Sequence, residues 1–329
     1  MATNGGEPAR PRVRWAVRGQ TTVKPKNDSF TIDGSQVWRA NEDRFRIAAR
    51  PGTLLAAVAD GAGASGLYCG PWAATLVERL PPTPIAAPAA LDGWMADFCL
   101  EFRREHAAKA GADARRHAKF IREGSCSTLS ACWLATDGNG CRAHWLGFGD
   151  SPIMLFDRSG PDYAILDWHP RPLALMERDP HLLNWKDMAP AEGFRAGCRT
   201  LPARACVVLA SDAVGLYLLG AYMERRHDGD ATSTELSFRQ EFRQLAGSSG
   251  GRRDLRPAKG TTVEPDSFAA EMSTLRKALR TPESFTSWQR QRYEAGLMAN
   301  DDATVVVMDV DIRYPDPCRP SAPQPENSP

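Results

Sequence analysis

Short apolar runs in this chain repeatedly border on aspartate and small residues, and this pattern restricts the fold more than any other feature. Leu54-Leu55-Ala56-Ala57-Val58-Ala59 runs into Asp60-Gly61, and His144-Trp145-Leu146-Gly147-Phe148-Gly149 runs into Asp150-Ser151. Ala205-Cys206-Val207-Val208-Leu209-Ala210 runs into Ser211-Asp212, and the order is reversed where Asn300-Asp301-Asp302 leads out into Ala303-Thr304-Val305-Val306-Val307-Met308. Apolar runs of this length, bounded by turn residues, predict strands. Singly, each Asp motif reads as a turn or a cap. Together they predict something else, because strand ends in a compact sheet core lie near one another, and carboxylates sharing one edge repel unless a cation sits among them. Carboxylates, a backbone carbonyl and water, without His or Cys, suit Mg²⁺ or Mn²⁺ rather than Zn²⁺. Asn41-Glu42-Asp43 adds two acids beside a further expected strand, Asp43 to Ala49.

The remaining segments define the class. Ser127 to Ala135 and Arg142 to Phe148 are strand-like runs separated by Asp137-Gly138-Asn139-Gly140, which predicts a tight hairpin with positive-φ turn residues. Helical spacing covers Pro71 to Leu80, the alanine-rich stretch Leu91 to Ile121, Ser267 to Leu279, and Pro282 to Met298 with Thr281 as N-cap. Strands and helices interleave without strict βαβ alternation, so an α+β fold with mainly antiparallel sheets is expected. Residues 1–12 and the Pro-rich tail 315–329 carry too few apolar side chains to offset ordering entropy and are expected to be disordered. They leave a single domain over 13–314, within which Gly247 to Glu264 reads as an exposed loop.

Composition closes off other classes. The 41 basic and 40 acidic residues leave a net charge of +1, which provides no field for nucleic acid or anionic lipid. Neither a secretory signal nor an apolar segment of about 20 residues is present, so a soluble cytoplasmic protein with no membrane partner is expected. The eight cysteines form no CxxC pair and read mainly as small buried hydrophobes, while His106 and His117 read as solvated. Gly247-Ser248-Ser249-Gly250-Gly251 matches GxSxG literally but lacks the strand-turn-helix setting of a nucleophile.

The ordered set Asn41-Glu42-Asp43, Val58-Ala59-Asp60-Gly61-Ala62-Gly63, Gly124-Ser125-Cys126-Ser127-Thr128, Gly149-Asp150-Ser151, Leu209-Ala210-Ser211-Asp212 and Asp301-Asp302-Ala303-Thr304-Val305-Val306 resembles the metal-dependent protein serine/threonine phosphatases of type 2C, in a bacterial-like form. The resemblance implies an αββα sandwich, two mainly antiparallel β-sheets flanked by helices, with a two-metal Mn²⁺ or Mg²⁺ centre. By that resemblance Asp60 bridges both ions, Gly61 offers its carbonyl, and Asp212 and Asp301 hold the second ion. Asp43 and Glu42 act through water, and Asp150 with Asp212 forms a third site. A bridging water would attack the phosphorus of phosphoserine or phosphothreonine in line. The implied partners are a phosphorylated protein substrate and a cognate kinase.

Departures from the family pattern bear on activity. Ala62 stands where eukaryotic members carry a histidine that serves as general acid, so leaving-group protonation falls to water or another group. Trp38 stands where many members carry a phosphate-binding arginine, which leaves Arg39, one position later, and Arg44 as candidates for substrate phosphate. Ala64 and Ala213 replace usual glycines and test whether the backbone there needs positive φ, and Asp302 is read as solvated. A flap is expected over His169 to Phe194, with Trp168 and Trp185 packing in the core, and extra helices are expected over 213–299. The competing readings are a phosphatase-like binding module with impaired catalysis and a hydrolase of small phosphoesters.

Overall fold

Alternation within the apolar runs decides the architecture, because both faces of each run are covered. The structure, a computed structural model, describes residues 11–27, 29–32, 35–38, 40–224, 232–247 and 267–314. In chain order the strands are β1 (Arg12–Thr22), β2 (Ser29–Ile32), β3 (Ser35–Trp38), β4 (Arg44–Arg50), β5 (Thr53–Ala59), β6 (Cys126–Ser127), β7 (Leu129–Asp137), β8 (Gly140–Phe148), β9 (Ile153–Asp157), β10 (Ala164–His169), β11 (Leu183–Asn184), β12 (Phe194–Thr200), β13 (Arg204–Ala210) and β14 (Ala303–Arg313). The α-helices are α1 (Cys69–Arg79), α2 (Pro88–Ala110), α3 (Ala114–Glu123), α4 (Asp212–Glu224), α5 (Ser233–Gly247), α6 (Phe268–Ala278) and α7 (Pro282–Glu294).

Two five-stranded sheets, β1-β14-β13-β9-β10 and β12-β8-β7-β5-β4, are antiparallel at every neighbouring pair. Their inner faces meet through Leu54, Ala56 and Val58 from one sheet and Val207, Leu209, Val306 and Met308 from the other. The intervening residues Leu55, Ala57 and Ala59 face α1 and α2, whereas Val208, Ala210, Val305 and Val307 face the α4 to α7 layer. The result is the expected αββα sandwich. A strand buried on both faces has no side left for polar residues, which is why these runs are uninterrupted. No helix among the described residues is long and apolar enough to cross a membrane.

Most expected elements stand within two or three residues of their sequence limits. The hairpin at Asp137 closes with Asp137 paired to Gly140, but its two central residues do not have positive φ; Gly140 does, at 147°. Asp137 Oδ1 instead accepts the Asn139 N–H at 2.8 Å and shapes the turn from its first position. The helical stretch from Leu91 is two helices, not one. Asp113 interrupts it by accepting the N–H groups of Arg115 and Arg116, so that it caps α3. His106, expected at the surface, is buried and stacks on Phe102 at 4.0 Å, while His117 is exposed. Trp168 and Trp185 are buried in the core as expected. The terminal segments 1–10 and 315–329, Arg39, and 248–266, which includes all but the first residue of the GxSxG match, lie outside the described residues.

The outer layer is fastened by two ion pairs with low exposure. The Arg276 guanidinium forks onto Asp309 of β14, at 2.7 and 2.6 Å, and its Nη2 donates to Tyr163 Oη at 2.6 Å. Arg292 Nη2 donates to Glu271 Oε1 at 2.6 Å, between α7 and α6, and its guanidinium lies 4.1 Å from the Trp288 ring centroid. Truncating one partner of a buried pair strands the other charge. Glu271→Ala is therefore expected to lower stability by ~3–5 kcal/mol in denaturant unfolding; a loss within the range of surface substitutions would show that Arg292 finds water or another acceptor.

Candidate metal centre

The acids reach one edge because the strands that carry them end there. Asp60 follows β5, and its N–H donates to Thr128 Oγ1 at 3.1 Å. Its carbonyl accepts from Thr128 N–H at 2.9 Å and from Ser127 Oγ at 2.8 Å. Thr128 Oγ1 lies 2.6 Å from Ser151 Oγ, and Ser130 Oγ donates to the Ser151 carbonyl at 2.6 Å, so the Asp60 and Asp150 turns share one hydroxyl chain. On the other sheet the ladder continues past β13: Ser211 N–H donates to the Thr304 carbonyl at 2.9 Å, and Thr304 N–H donates to Ser211 Oγ at 3.0 Å. That exchange sets Asp212 beside Asp301.

The Asn41-Glu42-Asp43 motif is held from three sides. Asp302 accepts the Glu42 N–H at 2.8 Å on one carboxylate oxygen and the Lys24 N–H at 2.9 Å on the other. Asn41 Oδ1 accepts the Asp43 N–H at 2.8 Å, and Arg44 Nη1 donates to the carbonyls of Asn41 and Asp43, both at 2.7 Å. The Glu42 carboxylate presses against Gly63, where any Cβ would collide with it. Asp302 is thus a tether and not a solvated acid, a correction with a clear cause: two backbone N–H groups just outside the sheet need an acceptor. Arg44 has one terminal nitrogen committed to backbone carbonyls, whereas Arg39 lies outside the described residues.

The carboxylates act on one another electrostatically. Asp43, Asp150 and Asp212 are 1, 6 and 8% exposed. Burial first, then the charges of Asp43, Asp212, Asp150 and Asp301, push the Asp60 carboxyl well above its ordinary range. Asp43 is pushed up to about 7, chiefly by burial and then by Asp302, although a hydrogen bond from Ser211 and one shared with Asp60 act in the opposite direction. Asp301 is raised by desolvation and by Asp212. The structure therefore brings together Asp43, Asp60, Asp150, Asp212 and Asp301, with Glu42 and Gly61 at the same turn. Residues to which sequence reading assigned no role are Thr128, Ser151, Ser211 and Gln289; for the first three the signal was a hydroxyl residue at a strand end beside an acid.

Whether a divalent ion suits these groups is a matter of donor chemistry. The donors are all oxygen, and Asp43 Oδ2 is buried without a hydrogen-bond partner, an acceptor that a hard cation satisfies. Among the described residues no three His, Cys, Asp or Glu side chains stand as a group able to hold an ion. The set fits Mg²⁺ or Mn²⁺ in kind. Burial pushes the Cys141 thiol up to about 12 and raises that of Cys132, which keeps both neutral, in line with their reading as buried hydrophobes.

No family model matches the sequence, and no curated protein is similar to it. Among solved structures the chain is similar to RsbX in complex with magnesium, at 13% identity and a TM-score of 0.43, covering 92% of this chain and 100% of that one. It is similar to the S. agalactiae serine/threonine phosphatase at 13% identity and a TM-score of 0.41, covering 90% and 99%. It is also similar to the catalytic domain of the serine/threonine protein phosphatase PstP with two manganese ions, at 19% identity and a TM-score of 0.36, covering 91% and 98%.

Crowding sets a pH dependence. Asp43 and Asp60 bind protons more tightly in the folded chain than in the unfolded one, so their contribution favours folding at low pH. It is lost as pH rises from the ordinary value of 3.8 to about 7 for Asp43. Chelator-treated protein is expected to melt at falling temperature across that window, and Asp60→Asn to flatten the profile and melt higher above about pH 7. Equal slopes for parent and variant in thermal melts would contradict the like-charge account.

Proposed function

We propose that this chain is a metal-dependent protein phosphatase of the type 2C kind, hydrolysing phosphoserine and phosphothreonine. The observation that carries the reading is the meeting of Asp43, Asp60, Asp150, Asp212 and Asp301 from separate stretches of chain, where the other four acids all raise the Asp60 carboxyl. By the resemblance, Asp60 would be a ligand to both ions, Asp212 and Asp301 would hold one of them, Gly61 would offer its carbonyl, and Asp43 with Glu42 would take outer positions. Asp150 would serve a third site with Asp212. Bound Mn²⁺ or Mg²⁺ supplies a nucleophile at neutral pH and neutralises charge on the phosphoryl group.

The protein's own residues do the positioning. Thr128 and Ser127 hold the Asp60 backbone, Ser211 donates to Asp43, and Asp302 ties the first motif to the last. Ala62 has no proton to give, so the leaving alkoxide takes its proton from water or another group. Arg44 steadies the Asn41–Asp43 turn and remains a candidate for substrate phosphate through its other nitrogens; Arg39 is the second candidate. The phosphoprotein substrate and a cognate kinase belong to this reading.

The departures at Ala64 and Ala213 do not weigh against activity: among the described residues Tyr68 is the only non-glycine with positive φ, so neither alanine is strained. The competing reading, a binding module without turnover, is favoured by the absence of an ion-holding group among the described side chains. Phosphate release from a phosphothreonine peptide with Mn²⁺, with Mg²⁺ and with chelator decides between them. Metal-dependent turnover is expected, lost in chelator and reduced at least about a hundredfold in Asp60→Asn, since even residues one shell out from a metal cost 10- to 100-fold. No turnover by folded protein under either metal would overturn the phosphatase reading and favour the binding module.

A further inference from the structure

His169, the last residue of β10, reaches from its own sheet to the end of β8 in the facing one. Its ring, 2% exposed, lies against Gly147, where a Cβ would come within 2.3 Å of it, and its centroid is 6.1 Å from that of Trp145. There Nε2 stands 3.0 Å from the carbonyl oxygen of Gly149. Gly149 has a φ of 89°, a left-handed conformation that glycine adopts without steric cost, and the residue it leads into is Asp150.

Which nitrogen carries the proton follows from the partners. Burial pushes the imidazole down to about 4, against the opposing hydrogen bond to Gly149, so at neutral pH the ring is uncharged and has one N–H. A carbonyl only accepts, which puts that proton on Nε2 and leaves Nδ1 a bare acceptor, buried and without a hydrogen-bond partner. An orphaned acceptor opposes folding. A phenyl ring would avoid it, so what the histidine contributes here is the N–H it gives to Gly149.

The other end of the same turn is held by hydroxyls. Ser130 Oγ donates to the Ser151 carbonyl and Thr128 Oγ1 meets Ser151 Oγ, both at 2.6 Å, so the chain is fixed after Asp150 by two side chains and before it by the imidazole. The residues around His169 are themselves tied to α5: Glu241 Oε2 accepts from Trp168 Nε1 at 3.2 Å and from the Leu173 N–H at 3.0 Å. Asp150, 6% exposed, is among the charges that raise Asp60. We infer that His169 is a positioning residue for Asp150: by holding the Gly149 carbonyl it sets where the Asp150 carboxylate stands against Asp60, and with it the affinity for the ion that Asp150 would hold. The inference rests on the phosphatase reading above, in which Asp150 serves a third metal site.

The test is a calorimetric titration of Mn²⁺ into the full chain and into His169→Phe, His169→Gln, Asp150→Asn and the double variant His169→Phe/Asp150→Asn, with circular dichroism as the check on folding. His169→Phe keeps a ring on Gly147 and removes the N–H; it is expected to weaken the weakest class of Mn²⁺ sites about tenfold, the lower end of what groups orienting a metal's ligands contribute. His169→Gln, whose amide reaches the Nε2 position, is expected to recover most of that loss. In the Asp150→Asn background His169→Phe is expected to change the remaining affinities by less than about twofold, since the carboxylate it positions is gone; general damage to the fold would lower them with or without Asp150. Unchanged Mn²⁺ affinities in folded His169→Phe, or an equal loss in both backgrounds, would overturn the inference and leave the phosphatase reading standing. If His169→Phe does not fold, His169→Gln is compared with His169→Asn, whose amide stops short of Gly149: parent-like affinity in the first with a loss in the second upholds the inference, and equal affinities overturn it. No Mn²⁺ binding by the parent would overturn the metal centre and this inference together. Binding without turnover would overturn the phosphatase reading alone, with the inference judged on the same affinities.

Discussion

Two sheets packed face to face, each covered by helices on its other side, leave their central strands no face on which to carry an unpaired charge. In β5, β13 and β14 the residues on alternate sides enter different apolar cores, so ionisable groups are pushed to the strand ends or, like Asp309 within β14, held by a partner such as Arg276. Asp60, Ser211-Asp212 and Asp301-Asp302 lie at such ends, and the antiparallel pairing of β13 with β14 brings the last two together. The acid cluster is a consequence of double burial. It would not gather if any of these strands turned one face to water.

Crowding so many carboxylates opposes folding, and the opposing contributions are visible around them. Backbone N–H groups that leave the ladder find hydroxyl and carboxylate acceptors: Thr128 for Asp60, Ser211 for Thr304, Asp302 for both Glu42 and Lys24. Each such bond contributes about 1 kcal/mol net, and leaving the group unpaired would cost more. These contacts fix the turns that carry the acids.

The helical layer from α4 to α7 does more than cover a sheet. Its packing rests on Phe268, Phe285 and Trp288 in the core and on the buried Glu271–Arg292 pair. From α7 the Gln289 amide reaches the Asp301 carbonyl, so the outer layer touches the centre through a side chain whose polar atoms are otherwise buried in protein. A segment that reads in sequence as added helices is, in three dimensions, part of the surroundings of the acids.

Local chemistry made much of this readable in advance. The unbroken apolar runs with terminal acids gave away doubly covered strands, the motif order pointed to the αββα layers, and Ser267 and Thr281 marked the starts of α6 and α7 because their hydroxyls cap the first N–H groups. Tertiary contact alone decided the rest. His106 carries the pattern of a surface helix yet stacks on Phe102, since only the packing of α2 against Tyr68 shows which side faces in. Asp302 reads as one more solvated acid until Glu42, 260 residues earlier, is placed beside it. Propensity, periodicity and capping act over a few residues and are written into the chain; which acceptor serves which N–H across two sheets depends on how strands far apart in sequence come to share an edge.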